Sequence, residues 1–142
     1  MKYSILSLIL TLLFLGHGDL LAANDFRERI YVQTDKQVYL AGELLWLKLC
    51  VTDATGIPVS FSKVGYVELL DESTALVQVK IEIKEGIGEG WLELPALLPT
   101  GYYRLVAYTR YMRNEGDTVF FRKTIGVVNT SGKTRLFPQT PL

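Results

Sequence analysis

Thr34-Asp35-Lys36 places a hydroxyl, a carboxylate and an ammonium on consecutive positions inside the stretch Tyr31-Val32-Gln33-Thr34-Asp35-Lys36-Gln37-Val38-Tyr39-Leu40-Ala41-Gly42-Glu43. Such a trio has the chemistry to move a proton or orient an anion. Carboxylates recur at Asp71-Glu72 and at Glu82, Glu85, Glu89 and Glu93, the residue type that glycoside hydrolysis uses in pairs. Asp53 and Asp71 fall in turns, where carboxylates can hold calcium. Near the end of the chain, Gly126 to Thr134 finishes in Gly132-Lys133-Thr134, the ending of a phosphate-binding loop.

Each of these has a plainer explanation. A phosphate loop needs glycine five positions before Gly132, where Val127 stands, and a helix after it, which two prolines at Pro138 and Pro141 oppose. Most of the carboxylates sit at outward strand positions or in turns, where charge keeps sheet edges apart. No calcium loop of the required spacing surrounds Asp53 or Asp71. The single histidine, His17, lies in an N-terminal segment expected to be removed. The mature chain then lacks the commonest general base and the commonest nitrogen ligand for metals. No cofactor and no metal are expected, and no enzymatic activity.

That N-terminal segment, residues 1–23, has Lys2, an apolar run from Ile5 to Leu15 and a small-residue end at Leu21-Ala22-Ala23. It reads as a secretory signal peptide, too short in its apolar run for the roughly 20 residues a membrane span needs. Export to the periplasm, the outer membrane surface or the medium follows, with no membrane span in the mature chain. Cys50 is the only cysteine, so no disulfide forms within the chain and an ordinary, partly buried strand position is expected for it. Fifteen basic and fifteen acidic residues balance, giving no net attraction for nucleic acid.

The elements that position these residues are strands. Val77, Val79, Ile81 and Ile83 alternate with Gln78, Lys80, Glu82 and Lys84, one face for the core and one for water. Leu45, Leu47, Leu49 and Val51, and later Tyr103, Leu105 and Ala107, obey the same rule. With turn residues between them, about seven strands are predicted near 30–34, 43–52, 64–70, 75–84, 88–94, 102–111 and 118–128. An all-β, seven-stranded antiparallel sandwich of immunoglobulin or fibronectin III type over residues 24–128 follows. Residues 129–142 are expected to be a flexible tail or linker. The parity that turns Leu45 and Leu47 inward turns Trp46 outward, and Trp91, Tyr66, Tyr102 and Tyr108 likewise. Outward tryptophans serve either as a packing surface for another domain or as a carbohydrate platform.

Tyr31, Val32, Thr34, Asp35, Lys36, Tyr39, Gly42 and Glu43 together form a pattern that resembles the start of the second macroglobulin domain of the alpha-2-macroglobulin family. Ala41 stands where that family usually has proline. Downstream, Gly101 and Tyr103 in Leu98-Pro99-Thr100-Gly101-Tyr102-Tyr103 are similar to the family's Gly-x-Tyr lead-in to a late strand, so the resemblance runs from about residue 29 to 128. The surrounding phrases are also similar to domains of exported proteins of the Bacteroides group, some coupled to outer-membrane receptors. The resemblance implies a macroglobulin sandwich and not the family's protease trap. Cys50 is followed by Val51-Thr52-Asp53 and not by the thioester sequence Gly-Glu-Gln, and one domain cannot form the enclosing cage.

Taken together, the expected function is a non-catalytic structural or protein-interaction module of the cell envelope. Its partners would be other proteins or further domains of a longer chain, through a surface including Trp46, Trp91 and Tyr66. The alternative is a carbohydrate-binding or adhesive module using the same outward aromatics. Thr34, Asp35 and Lys36 are expected to shape the turn after the first strand, with Lys36 in solvent, Tyr39 beside the turn and Gly42-Glu43 launching the next strand. Losing the Asp35 carboxylate would then lower stability without removing a reaction.

Overall fold

The computed structural model describes residues 26–131. The signal segment with His17, and the Gly132-Lys133-Thr134 ending, lie outside the described residues. Eight strands are described: β1 (Glu28–Thr34), β2 (Val38–Leu40), β3 (Leu44–Asp53), β4 (Val64–Asp71), β5 (Thr74–Glu82), β6 (Ile87–Glu93), β7 (Gly101–Thr109) and β8 (Phe121–Val128). They form a three-stranded sheet in the order β1-β3-β6 and a five-stranded sheet in the order β2-β8-β7-β4-β5.

The core lies between the sheets and is built from the alternation. Ile30 and Val32 of β1, Leu45, Leu47, Leu49 and Val51 of β3, and Leu92 of β6 are buried from one sheet; Val67, Leu69, Tyr103, Leu105, Ile125 and Val127 are buried from the other. Each such side chain contributes on the order of 1.5–3 kcal/mol by leaving water. Close approach matters on β6, where a Cβ on Gly88 would stand 2.8 Å from the Glu82 carbonyl and 3.0 Å from Ile81 Cγ2. There β5 passes directly into β6 through a two-residue turn: Glu85 and Gly86 take φ of 51° and 79°, with Lys84 and Ile87 exchanging backbone bonds of 2.8 and 2.9 Å. These are the features of a primed hairpin turn, whose twist suits the strands it joins. Beyond it the two strands part into different sheets.

The sandwich differs from the seven antiparallel strands expected in several respects. Three residues, Val38–Leu40, form an additional strand that runs parallel to β8, with Val38 beside Gly126 and Leu40 beside Val128. The last expected strand begins late, because Asp117–Val119 and, before it, Met112–Asn114 are short 3-10 turns. Val77 and Val79 point inward but are only half-buried, unlike Ile81. They lie on β5, the edge strand of the wider sheet, which the narrower sheet covers incompletely.

Candidate functional site

β1 ends at Thr34, and the chain leaves the narrow sheet through Asp35 and Lys36 before crossing to the wide sheet as β2. The Asp35 side chain closes this exit. Its Oδ1 accepts a hydrogen bond from the Tyr39 hydroxyl at 2.7 Å and from the Trp46 backbone N–H at 3.2 Å, while the Asp35 N–H donates to the Trp46 carbonyl at 3.2 Å. Asp35 thus continues the β1–β3 pairing by one position after the strand has turned away. Tyr39, 1% exposed, also has the Lys36 carbonyl within 3.0 Å of its hydroxyl, which accepts from the Lys36 N–H at 3.1 Å. The Tyr39 hydroxyl thus lies against the turn residues Asp35 and Lys36 while its ring is part of the core.

Lys36 is exposed, and its ammonium pairs with Glu43 Oε1, while Glu43 Oε2 accepts the Leu40 N–H at 2.9 Å. The lysine beside it holds the Glu43 carboxyl below its usual range, helped by the Leu40 amide, and Glu43 raises Lys36 in return. Thr34 completes the junction, donating to the Lys36 carbonyl at 2.7 Å and accepting from Lys123 Nζ at 2.6 Å. Lys123 comes from β8, so this last bond ties the two sheets together. Burial, followed by the Asp35 hydrogen bond, pushes the Tyr39 phenol up to about 12. A phenol so hard to ionise keeps its proton at neutral pH and serves here as a hydrogen-bond donor. Hydrogen bonds from Thr34 and Asp35 thus tie the end of β1 to Lys36, to β3 and to β8.

Gly42 takes φ of +85° and lets the chain turn back into β3. Ala41, where a proline would match the motif, donates its N–H to the Val128 carbonyl at 3.0 Å. Proline has no such donor. Ala41→Pro is therefore expected to lower stability by about 1 kcal/mol, the net worth of one backbone bond, as read from the urea midpoint of the purified chain. A raised midpoint would mean that the stiffer turn outweighs the lost bond. Gly101 and Tyr103 open β7; Tyr103 is 2% exposed and its hydroxyl donates to the Pro99 carbonyl at 2.7 Å. Asn129, counted with the tail from sequence, is held against the same loop, its side-chain amide donating to the Leu98 carbonyl at 2.7 Å.

Trp46 and Trp91 are cross-strand partners on the outer face of the narrow sheet, 51% and 53% exposed. Their rings are 5.2 Å apart and inclined at 51°. Tyr31 and Leu44 share this face, with the Lys48–Glu89 ion pair one step along from the tryptophans. An open groove of about 490 Å³ runs beside the pair, between Trp46, Trp91 and Asp35. Tyr66 is not part of this surface. It lies on the outer face of the wide sheet, stacked at 5.4 Å on Tyr108, which in turn stacks on Phe120 at 4.4 Å. Burial and the Glu68 carboxylate, which accepts from its hydroxyl at 2.7 Å, push Tyr108 up to about 12 as well.

One functional-looking residue escaped attention in the sequence. Glu28 is fully buried, and its carboxylate accepts from the Ser62 N–H at 3.1 Å, the Ser62 hydroxyl at 2.6 Å and the Thr109 hydroxyl. The signal was available, since Glu28 shares the parity of Ile30 and Val32. Asp53, considered for calcium, spends Oδ1 on Thr55 and Ile57 within its own turn, and Thr55 holds its carboxyl below the usual range. Among the described residues no group of three or more His, Cys, Asp or Glu is placed to hold a metal ion. No described helix is long and apolar enough to cross a membrane. Cys50 is a free thiol, partly buried on β3.

Two packed sheets, a hydrogen-bonded junction and an exposed aromatic pair define an all-β sandwich domain. Its fold is that of a macroglobulin-like domain. The trypsin-activated alpha-2-macroglobulin of Escherichia coli superposes with a TM-score of 0.57 at 18% identity, over 71% of this chain and 7% of that one. Salmonella alpha-2-macroglobulin reacted with methylamine gives 0.57 at 16% identity, over 72% of this chain and 6% of that one. The native conformation of the Escherichia coli protein gives 0.57 at 17%, over 74% and 6%. The chain thus corresponds to a small fraction of the length of these proteins, and at such identity the likeness is one of fold. No protein-family model and no curated protein matches the chain.

Proposed function

We propose that this is an exported, non-catalytic macroglobulin-type module of the cell envelope, of the second-domain kind, that docks onto a protein surface through the face carrying Trp46 and Trp91. The observation that carries this reading is the geometry of the tryptophan pair. Half of each ring is exposed, yet the rings lean on one another at 51°, which makes a ridge and not the flat aromatic platform on which a sugar ring stacks. Tyr31 and Leu44 extend the ridge as apolar surface, and an exposed aromatic cluster beside a few charges is the composition of a protein contact. The small share of the alpha-2-macroglobulin chains that this domain matches supports a place within a longer chain or assembly, where the neighbour is another exported domain. Export itself rests on the leader at residues 1–23, whose removal would leave Ala23 or Asn24 as the first residue.

A photo-crosslinking amino acid at position 46 or 91, in cells producing the intact precursor, is expected to give one discrete protein adduct. The same probe at Glu85, on the exposed β5–β6 turn, is expected to give none. If neither tryptophan position yields an adduct, and a glycan array instead shows binding that disappears in Trp46→Ala or Trp91→Ala, the platform reading replaces this one. Both substitutions should change stability little, because the rings already sit half in water.

A further inference from the structure

A second surface lies at the end of the sandwich where β4 begins and β7 ends, away from the tryptophan ridge. It is an open groove of about 470 Å³ whose lining includes Phe61, Tyr111 and Tyr66 together with Lys63 and Arg110. Phe61 is 62% exposed although it packs against Tyr111 at 5.0 Å and Phe26 at 5.5 Å. The three rings meet at steep angles and make a firm apolar wall.

The charges around this wall are one-sided. No acidic side chain lines the groove. Of the nearby carboxylates, Glu28, beneath it, is buried on Ser62 and Thr109, Glu115 pairs with Arg29 at 3.1 Å and Glu82 pairs with Lys84 at 3.0 Å, while Glu85 lines the neighbouring hollow that Lys63 also borders. Arg110 is exposed and its guanidinium makes no ion pair with another described residue, while Lys63 Nζ donates to the Ser60 carbonyl at 2.9 Å and keeps two donors for other acceptors. A guanidinium and an ammonium flanking exposed rings suit a carboxylate next to an apolar side chain.

The shape of the wall, more than its polar groups, distinguishes two kinds of acidic ligand. A uronic-acid sugar would bring several hydroxyls that need partners, and of the groove's side-chain polar groups the Tyr66 hydroxyl and the Asn114 amide are left for them. Ser62 gives both its N–H and its hydroxyl to Glu28, and Tyr111 donates to the Phe26 carbonyl at 2.9 Å. A sugar ring stacks on a flat aromatic face, which rings inclined at 57–76° do not offer, whereas an extended peptide keeps its backbone solvated along an open groove and sets one side chain against the wall. We infer that this groove binds an extended acidic peptide segment of a partner protein, with a carboxylate on Arg110 and Lys63 and an adjacent aromatic or aliphatic side chain against Phe61 and Tyr111.

The test is fluorescence anisotropy of the purified chain with a labelled nonapeptide of alternating glutamate and phenylalanine. Saturable binding is expected, weakening as salt is raised, and weakening at least about tenfold in Arg110→Glu and in Lys63→Glu, with a smaller loss in Arg110→Lys. Trp46→Ala should bind as the parent does, which separates this groove from the tryptophan ridge. The inference is overturned by no saturable binding, by equal binding in the charge-reversed chains, by loss in Trp46→Ala, or by equal binding of a nonapeptide of aspartate alone. Tighter binding of an oligogalacturonate probe would overturn it too and give the groove to acidic sugars.

Discussion

Glu28→Ala is expected to destabilise the domain by about 3 kcal/mol, lowering the melting temperature by on the order of 10–20 °C. Glu28 enters the core on the parity of Ile30 and Val32, and a buried carboxylate survives there only because donors converge on it. Ser62 brings an N–H and a hydroxyl, and Thr109 brings a hydroxyl that also accepts the Met112 N–H at 3.2 Å. One side chain therefore joins β1 to the segment before β4, to the end of β7 and to the 3-10 turn that follows. Alanine leaves the Thr109 hydroxyl buried without its carboxylate and removes the acceptor of both half-buried Ser62 donors, each loss costing about 1–3 kcal/mol without being strictly additive. Glu28→Gln keeps the shape and one acceptor, so roughly half the loss is expected. Urea unfolding of both variants is the measurement, and a Glu28→Ala chain within about 0.5 kcal/mol of the parent would show the network to be dispensable. Because Ser62 also lines the basic aromatic groove, peptide binding there should weaken in Glu28→Ala beyond any effect on the tryptophan ridge.

Residues that follow local rules were legible from the sequence, and those that depend on register were not. Parity alone put Leu45, Leu47 and Leu49 inside and Trp46 outside, and the gap between the strands expected at 75–84 and 88–94 held the bend between β5 and β6. β2 gave no such signal, because it has three residues and shows Val38 and Leu40 to solvent while burying only Tyr39. Its pairing with β8 joins positions nearly ninety apart in the chain, which no local pattern encodes. The outward direction of Trp91 was readable, but its contact with Trp46 needs the β3–β6 register. In the same way Tyr66 was expected on an interaction surface, whereas its stacking on Tyr108 depends on β4 lying beside β7. The Lys36–Glu43 pair spans a strand and a turn, so the seven-residue spacing carried no hint of it. The basic groove was missed for a related reason: Phe61, Lys63 and Arg110 come from separate segments that only the folded chain gathers.

Tyr39 is where the fold and the signature trio can be separated by measurement. Tyr39→Ala removes one of the largest fully buried side chains and should cost about 4 kcal/mol, the range for emptying an aromatic site. Tyr39→Phe keeps the ring and loses only the hydroxyl that bridges Asp35 and Lys36, for about 1 kcal/mol. Asp35→Ala leaves the Trp46 N–H without its side-chain acceptor and the Tyr39 hydroxyl with the Lys36 carbonyl alone, and should cost about 1 kcal/mol. Since both single changes delete the same 2.7 Å bond, the double variant Tyr39→Phe with Asp35→Ala should lose less than the sum. Strict additivity in urea unfolding would show that the hydroxyl and carboxylate contribute independently. The phenol also sets a pH dependence with a defined sign. Folded Tyr39 stays protonated up to about 12, whereas an unfolded tyrosine ionises near pH 10. Between those values the unfolded chain binds fewer protons, so this contribution is complete below about pH 10 and is lost as pH rises toward 12. Tyr108, shifted in the same direction, adds to the decline. Tyr39→Phe should therefore start from a lower stability at neutral pH but fall less steeply in alkali, and an unchanged alkaline slope would mean that Tyr39 is not the group holding its proton.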